Sequence, residues 1–149
     1  LKLSTVDIST SSGDMLRGVL AGDHSIIWCA SGFTTAGKSV DLMGMSEIAP
    51  IFSQVMEDRE IENEGPRVVM LSSAGVSRPS WSDTKKERLV GAADIPIIRL
   101  NPGGILGKKC EAEELLRASG IEYCVVRPTG LKFDGWARGR PIISQGDVA

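Results

Sequence analysis

Apolar residues fall along this chain in two kinds of run. Short continuous runs occur at Ser25 to Ala30 (SIIWCA), Arg67 to Leu71 (RVVML) and Glu122 to Val126 (EYCVV). Their length and apolar density predict strands covered on both faces. Between them, apolar positions return at helical spacing. Val40 to Met56 carries Leu42, Met43, Ile48, Ile51, Phe52 and Val55 on such a pattern. Gly103 to Ser119 carries Ile105, Leu106, Ala112, Leu115 and Leu116, all expected to face inward. A shorter helix is predicted around Met15, Leu16, Val19 and Leu20, capped by Ser11 or Ser12 and stopped by Gly22. Pro50 is expected to break or kink the Val40–Met56 helix.

The intervening segments read as connections. Leu1 to Val6 alternates like a short strand and reaches Asp7. Gly32 to Lys38 is a Gly/Thr loop, Glu57 to Gly65 is acidic, and Ser77 to Asp94 is polar and reads as a surface loop. Arg127 to Arg140 bears glycine and proline and reads as a loop as well. Strands alternate with helices at crossover length, which predicts parallel pairing in an α/β layered sheet.

Chemistry is expected where the strands end, because ligands of parallel α/β sheets sit at the carboxyl ends of strands. Four such ends carry small or polar residues: Asp7-Ile8, Cys29-Ala30-Ser31-Gly32, Ser72-Ser73-Ala74-Gly75 and Pro128-Thr129-Gly130. Small side chains let a ligand approach the backbone, and hydroxyls can bond its oxygens. Each turn alone is ordinary for an α/β protein; their ordered recurrence carries the signal.

Composition narrows the classes. Apolar residues make up 42% and charged residues 24% of 149, ordinary for a globular domain. The formal net charge of −2, with both signs interspersed, gives no support for nucleic-acid binding or a polybasic membrane patch. No apolar run has the length of a membrane span. Cys29, Cys110 and Cys124 lack metal-type spacing and, being three, do not suggest a disulfide framework; a reducing compartment follows. Cys29 and Cys124 read as core filling. A lone His24 beside Asp23 reads as a surface turn. Trp81 and Trp136 fall in predicted loops, either packed locally or available to a partner.

The string VVMLSSAG, the lysine-bearing helix ending LRASG and the stretch IEYCVVRPTGL together resemble the atypical short-chain dehydrogenase/reductase group, its NmrA-like members in particular. The span GGILGKKCEAEELLRASGIEYCVVRP is most similar to cyanobacterial and chloroplast members, and Val40-Asp41 with Gly44 resembles the helix after the group's fourth strand. The resemblance implies a Rossmann-like, doubly wound parallel sheet, incomplete at both ends, with residues 1–149 forming part of an NAD(P)-binding domain. It places Asp7 and Ile8 by the adenine, and Ala30 and Ser31 by the ribose and phosphates of NADP or NAD. Ser72 or Ser73 would occupy the place of the group's substrate-orienting serine. Lys109 would reach the nicotinamide ribose, and Pro128, Thr129, Gly130 and Leu131 would cover the nicotinamide. In the reductase reading, Ser73 and Lys109 are the catalytic pair.

Two departures shape the expected function. A tyrosine one turn before the lysine would share its helix face and serve as general acid. Here Ile105 precedes Lys109 by four residues, and the single tyrosine, Tyr123, lies on a later strand. Lys109 is also spaced to pair with Glu113 on the helix surface. The glycine-rich turn that holds a pyrophosphate is absent too; the chain is expected to enter the domain near its third strand. The resemblance therefore implies a weakly catalytic or non-catalytic dinucleotide-binding protein, an assembly or stabilising subunit of a larger complex; the likeness to chloroplast members implies a photosynthetic one, in a plastid or the cytoplasm. The alternative is a reductase of a small organic substrate. A third reading rests on Gly32 to Ser39, GFTTAGKS, which fits the phosphate-loop pattern between a strand and a helix.

Overall fold

The computed structural model describes residues 5–59, 65–93, 95–129, 131 and 143–145, and the account below concerns these. Three strands, β1 (Ile26–Trp28), β2 (Val68–Leu71) and β3 (Tyr123–Val126), form a parallel sheet in the order β1-β2-β3. Trp28 stands opposite Met70, and Met70 opposite Val125, so the three carboxyl ends lie along one edge. The main helices are α1 (Gly13–Leu20), α2 (Val40–Asp58) and α6 (Ile105–Ala118). Three short helices, α3 (Asp83–Arg88), α4 (Val90–Ala93) and α5 (Pro96–Leu100), lie between β2 and α6.

The caps follow from local chemistry. Ser12 and Ser39 accept the Met15 and Leu42 amides, so each hydroxyl starts a helix by satisfying an otherwise orphaned donor. At α6 the same task falls to Asn101, whose Oδ1 accepts the Leu106 amide at 3.0 Å. Gly103 and Gly104 both take positive φ, the conformation that turns the chain from α5 into α6.

The core lies between one sheet face and the helices. Trp28, Val68 and Met70 point to this side and pack with Met45, Ala49, Phe52 and Val55 of α2 and Ala112 and Leu116 of α6. Burying each large side chain contributes about 1.5–3 kcal/mol. α1 packs Leu20 into the same cluster. Gly44 is required here, because a Cβ at that position would fall inside the Trp28 ring.

Several expectations are corrected. Leu1–Leu3 and Ser4 lie outside the described residues, and residues 5–7 are not a strand. Pro50 neither ends nor splits α2, which runs unbroken for 19 residues. Its ring faces outward, where the lost backbone hydrogen bond is on the solvent side. The segment predicted as a polar loop after Ser77 instead folds into short helical turns. Leu115 points outward at 39% exposure, so the buried stripe of α6 is narrower than its apolar count.

Among the described residues, helices cover the strands on one face only. Ile27, Val69 and Cys124 share a register on the far side, followed by Leu71 and Val126. Ile27 is 73% and Val126 44% exposed. Cys29 and Cys124 are exposed rather than core residues. Topology supplies the reason. With strand order advancing in one direction, right-handed crossovers place both connecting helices on the same side.

Candidate functional site

The edge formed by the strand tips gathers most of the residues singled out by sequence. Ala30 and Ser31 follow β1, Ser72 and Ser73 follow β2, and Pro128 and Thr129 follow β3. The ladder between β2 and β3 continues past the strands themselves. The Ser72 amide donates to Val126 O at 2.8 Å and the Ala74 amide to Pro128 O at 3.0 Å. Ser73 and the Pro128-Thr129 turn are thus held side by side. Leu131 is exposed, and Gly130 lies outside the described residues.

Behind this edge run two polar networks, both anchored on α6. In the first, Lys109 Nζ donates to Asp41 Oδ1 at 2.6 Å, and both side chains are buried. Ser31 Oγ donates to the other carboxylate oxygen, Oδ2, at 2.9 Å. Asp41 stands in the first turn of α2, where the helix dipole favours a negative charge. In the second, Ser72 Oγ donates to Glu113 Oε1 at 2.6 Å. Arg127 grips the same carboxylate with two donors, Nε to Oε1 at 3.1 Å and Nη2 to Oε2. A buried carboxylate is tolerated only with such partners.

Lys109 therefore does not pair with Glu113. The spacing allowed that pair, but the helix turns Lys109 toward α2 and Glu113 toward the tips of β2 and β3. Asp41, Glu113 and Arg127 were not read as site residues from sequence. Their partners lie 68, 41 and 14 residues away, beyond any local pattern. Ser73 donates to Ala74 O at 3.0 Å and is half-buried at the edge.

Asp7 and Ile8 sit elsewhere. Asp7 Oδ1 accepts the Ser9 amide and hydroxyl at 2.9 and 2.6 Å, closing the turn before α1, and these bonds, the hydroxyl's first, hold its carboxyl below the usual range. Ile8 packs against the core cluster. Tyr123 lies on β3, where its hydroxyl accepts from Arg117 Nε at 3.2 Å. Ile105 occupies the place one turn before Lys109.

The Gly32–Ser39 loop is a small hairpin. Thr34 N donates to Lys38 O, Gly37 N to Thr34 O, Lys38 N to Thr34 Oγ1 and Val40 N to Gly32 O. Phe33 bridges to Ser39, and its ring lies over Gly103 at the entry to α6. On the β2 side, Ile95 and Ile98 flank Gly75. The edge is thus walled by apolar side chains beside its hydroxyls. Trp81 is buried in the 78–85 segment: its indole donates to Ser77 Oγ at 3.1 Å, and Lys85 lies 4.1 Å from the ring centroid. It serves local packing; Trp136 lies outside the described residues.

A parallel α/β sheet with small and hydroxyl-bearing residues at adjacent carboxyl tips is the architecture of a nucleotide-binding domain. The family model described as NAD(P)H-binding matches residues 1–149, and the chain belongs to that family. Its cofactor is NAD or NADP. No curated protein and no solved structure gives a match. The residues at the edge fit a dinucleotide in kind. Ser31, Ser73 and Thr129 supply hydroxyls, Lys109 supplies an ammonium, and a Cβ at Gly32 would meet nothing, which leaves room for close approach. No helix among the described residues is long and apolar enough to cross a membrane.

Proposed function

We propose that this chain is the second winding of a dinucleotide-binding domain of the short-chain dehydrogenase type, and that it holds its cofactor without acting as an efficient reductase. The observation that carries this reading is the shared edge of Ser31, Ser73 and Thr129, with Lys109 anchored behind it. The strand order advances in one direction, so a reversal, where dinucleotides settle, would fall beside the outer edge of β1. In this reading Ala30 and Ser31 line the ribose and phosphates, Lys109 bonds the nicotinamide ribose, and Pro128 to Leu131 cover the nicotinamide. Asp7 and Ile8 by the adenine fit less well, since Asp7 is engaged in its own turn.

A bound nicotinamide supplies hydride. Reduction of a carbonyl also needs a proton donor beside the reacting oxygen. Ile105 cannot provide one, and the Tyr123 hydroxyl is engaged by Arg117 on another element. Ser73 and Lys109 alone would leave that step uncatalysed, which favours a binding or stabilising role. The apolar sheet face left open by the described residues agrees with a protein that works inside a larger assembly. A plastid or photosynthetic setting rests on the resemblance alone.

Titration with NADPH, NADH and ATP tests the reading. A dinucleotide is expected to bind and ATP not to, because the hairpin at Gly32–Ser39 uses the Thr34, Gly37, Lys38 and Val40 amides internally. Tight ATP binding with no dinucleotide binding would overturn it. Robust carbonyl reduction that survives Ser73→Ala and Lys109→Ala would overturn the site.

A further inference from the structure

Asp41 is the point where two elements of the proposed cofactor site meet. It is fully buried, and each of its carboxylate oxygens has a separate partner: Lys109 Nζ on α6 at 2.6 Å and Ser31 Oγ after β1 at 2.9 Å. A free lysine side chain has many rotamers open to it, and packing together with the ion pair selects one. The exposed loop after β1 is tied to the same atom group. We propose that Asp41 is a positioning residue for dinucleotide binding, fixing the Lys109 ammonium and the Ser31 loop relative to each other while touching no cofactor atom itself. The inference rests on the reading of Lys109 and Ser31 given above and adds the residue through which they act together.

The physical argument concerns pre-organisation. An ammonium that is already placed loses little freedom when a ribose diol arrives, and its two remaining N–H groups stay available. The Asp41 charge also offsets the Lys109 charge, so the lysine can stay in a buried place before the cofactor binds. Asparagine at position 41 could still accept from Ser31, but would leave Lys109 without its counter-charge. Glutamate would keep the charge at the end of one extra methylene.

The test measures affinity of the full chain for NADPH and NADH by titration, with folding followed by circular dichroism. Asp41→Asn is expected to weaken binding at least about tenfold, and Asp41→Glu to recover most of that loss. Lys109→Met should weaken binding to a similar degree. The double variant Asp41→Asn/Lys109→Met, which leaves no unpaired buried charge, should bind no more weakly than Lys109→Met alone. The second readout is the Lys109 ammonium resonance in lysine-labelled protein: dinucleotide should move it in the wild type and in Asp41→Glu, but not in Asp41→Asn.

Wild-type affinity in a folded Asp41→Asn, alongside weak binding by Lys109→Met, would overturn the role of Asp41 and leave the site reading intact. Wild-type affinity in Lys109→Met would overturn the site reading, and this inference with it. If Asp41→Asn does not fold, the double variant decides: a further tenfold loss beyond Lys109→Met would mean Asp41 acts independently of the lysine, and the proposal fails.

Discussion

Gly44 and Cys110 show how single side chains report on the packing around them. Gly44 faces the Trp28 ring across the α2–sheet interface, where there is no room for a methyl group. Gly44→Ala is expected to destabilise the protein by about 1–3 kcal/mol in urea titration, with altered Trp28 fluorescence, although alanine is the better helix former. Cys110 lies on α6, half-buried, one turn before Glu113 and Glu114. Burial, and secondarily those two carboxylates, push its thiol above the ordinary value. A raised thiol pKa leaves less thiolate at a given pH. Alkylation at pH 8 should therefore be at least about threefold slower at Cys110 than at exposed Cys29 and Cys124. Equal rates at all three would contradict the burial seen here.

At the scale of elements, α2 carries the clearest test. Pro50 lies mid-helix on its solvent side and removes one backbone donor without breaking the run. Pro50→Ala should restore that donor and raise stability by about 1–3 kcal/mol; a loss would mean that the proline ring makes packing contacts of its own. The apolar runs located all three strands and the helical spacing located α1, α2 and α6, because these signals are local. The two buried networks were not legible. Lys109 and Asp41 are far apart in sequence, and the nearest acidic residue on the helix face, Glu113, was the misleading local choice. The Ser72–Glu113–Arg127 cluster, built around a buried carboxylate, likewise exists only once β2, α6 and β3 are packed. The strand-tip residues were recognisable because fold class alone says where tips lie.

At the scale of the molecule, the main departure from expectation is a sheet that the described residues cover on one side. An apolar run records a preference for burial; it does not record whether a covering element is present. Ile27, on the open face, contributes little to the fold as described. Ile27→Lys should change stability by less than about 0.5 kcal/mol in urea titration. A loss above about 2 kcal/mol would mean that this face is covered in the folded protein in solution. The same variant should bind less of a hydrophobic dye, since it interrupts the Ile27–Val69–Cys124 row at an exposed apolar side chain.

Lys109 and Glu113 engage different neighbours from consecutive turns of one helix, the first reaching α2 and the second the tips of β2 and β3. Adding or deleting one residue between them would swing one of the two around the axis by roughly 100°. One carboxylate or ammonium would then be stranded in the interior. This stretch of five residues can change its letter on the outer side, at exposed Glu111, but it cannot change its length.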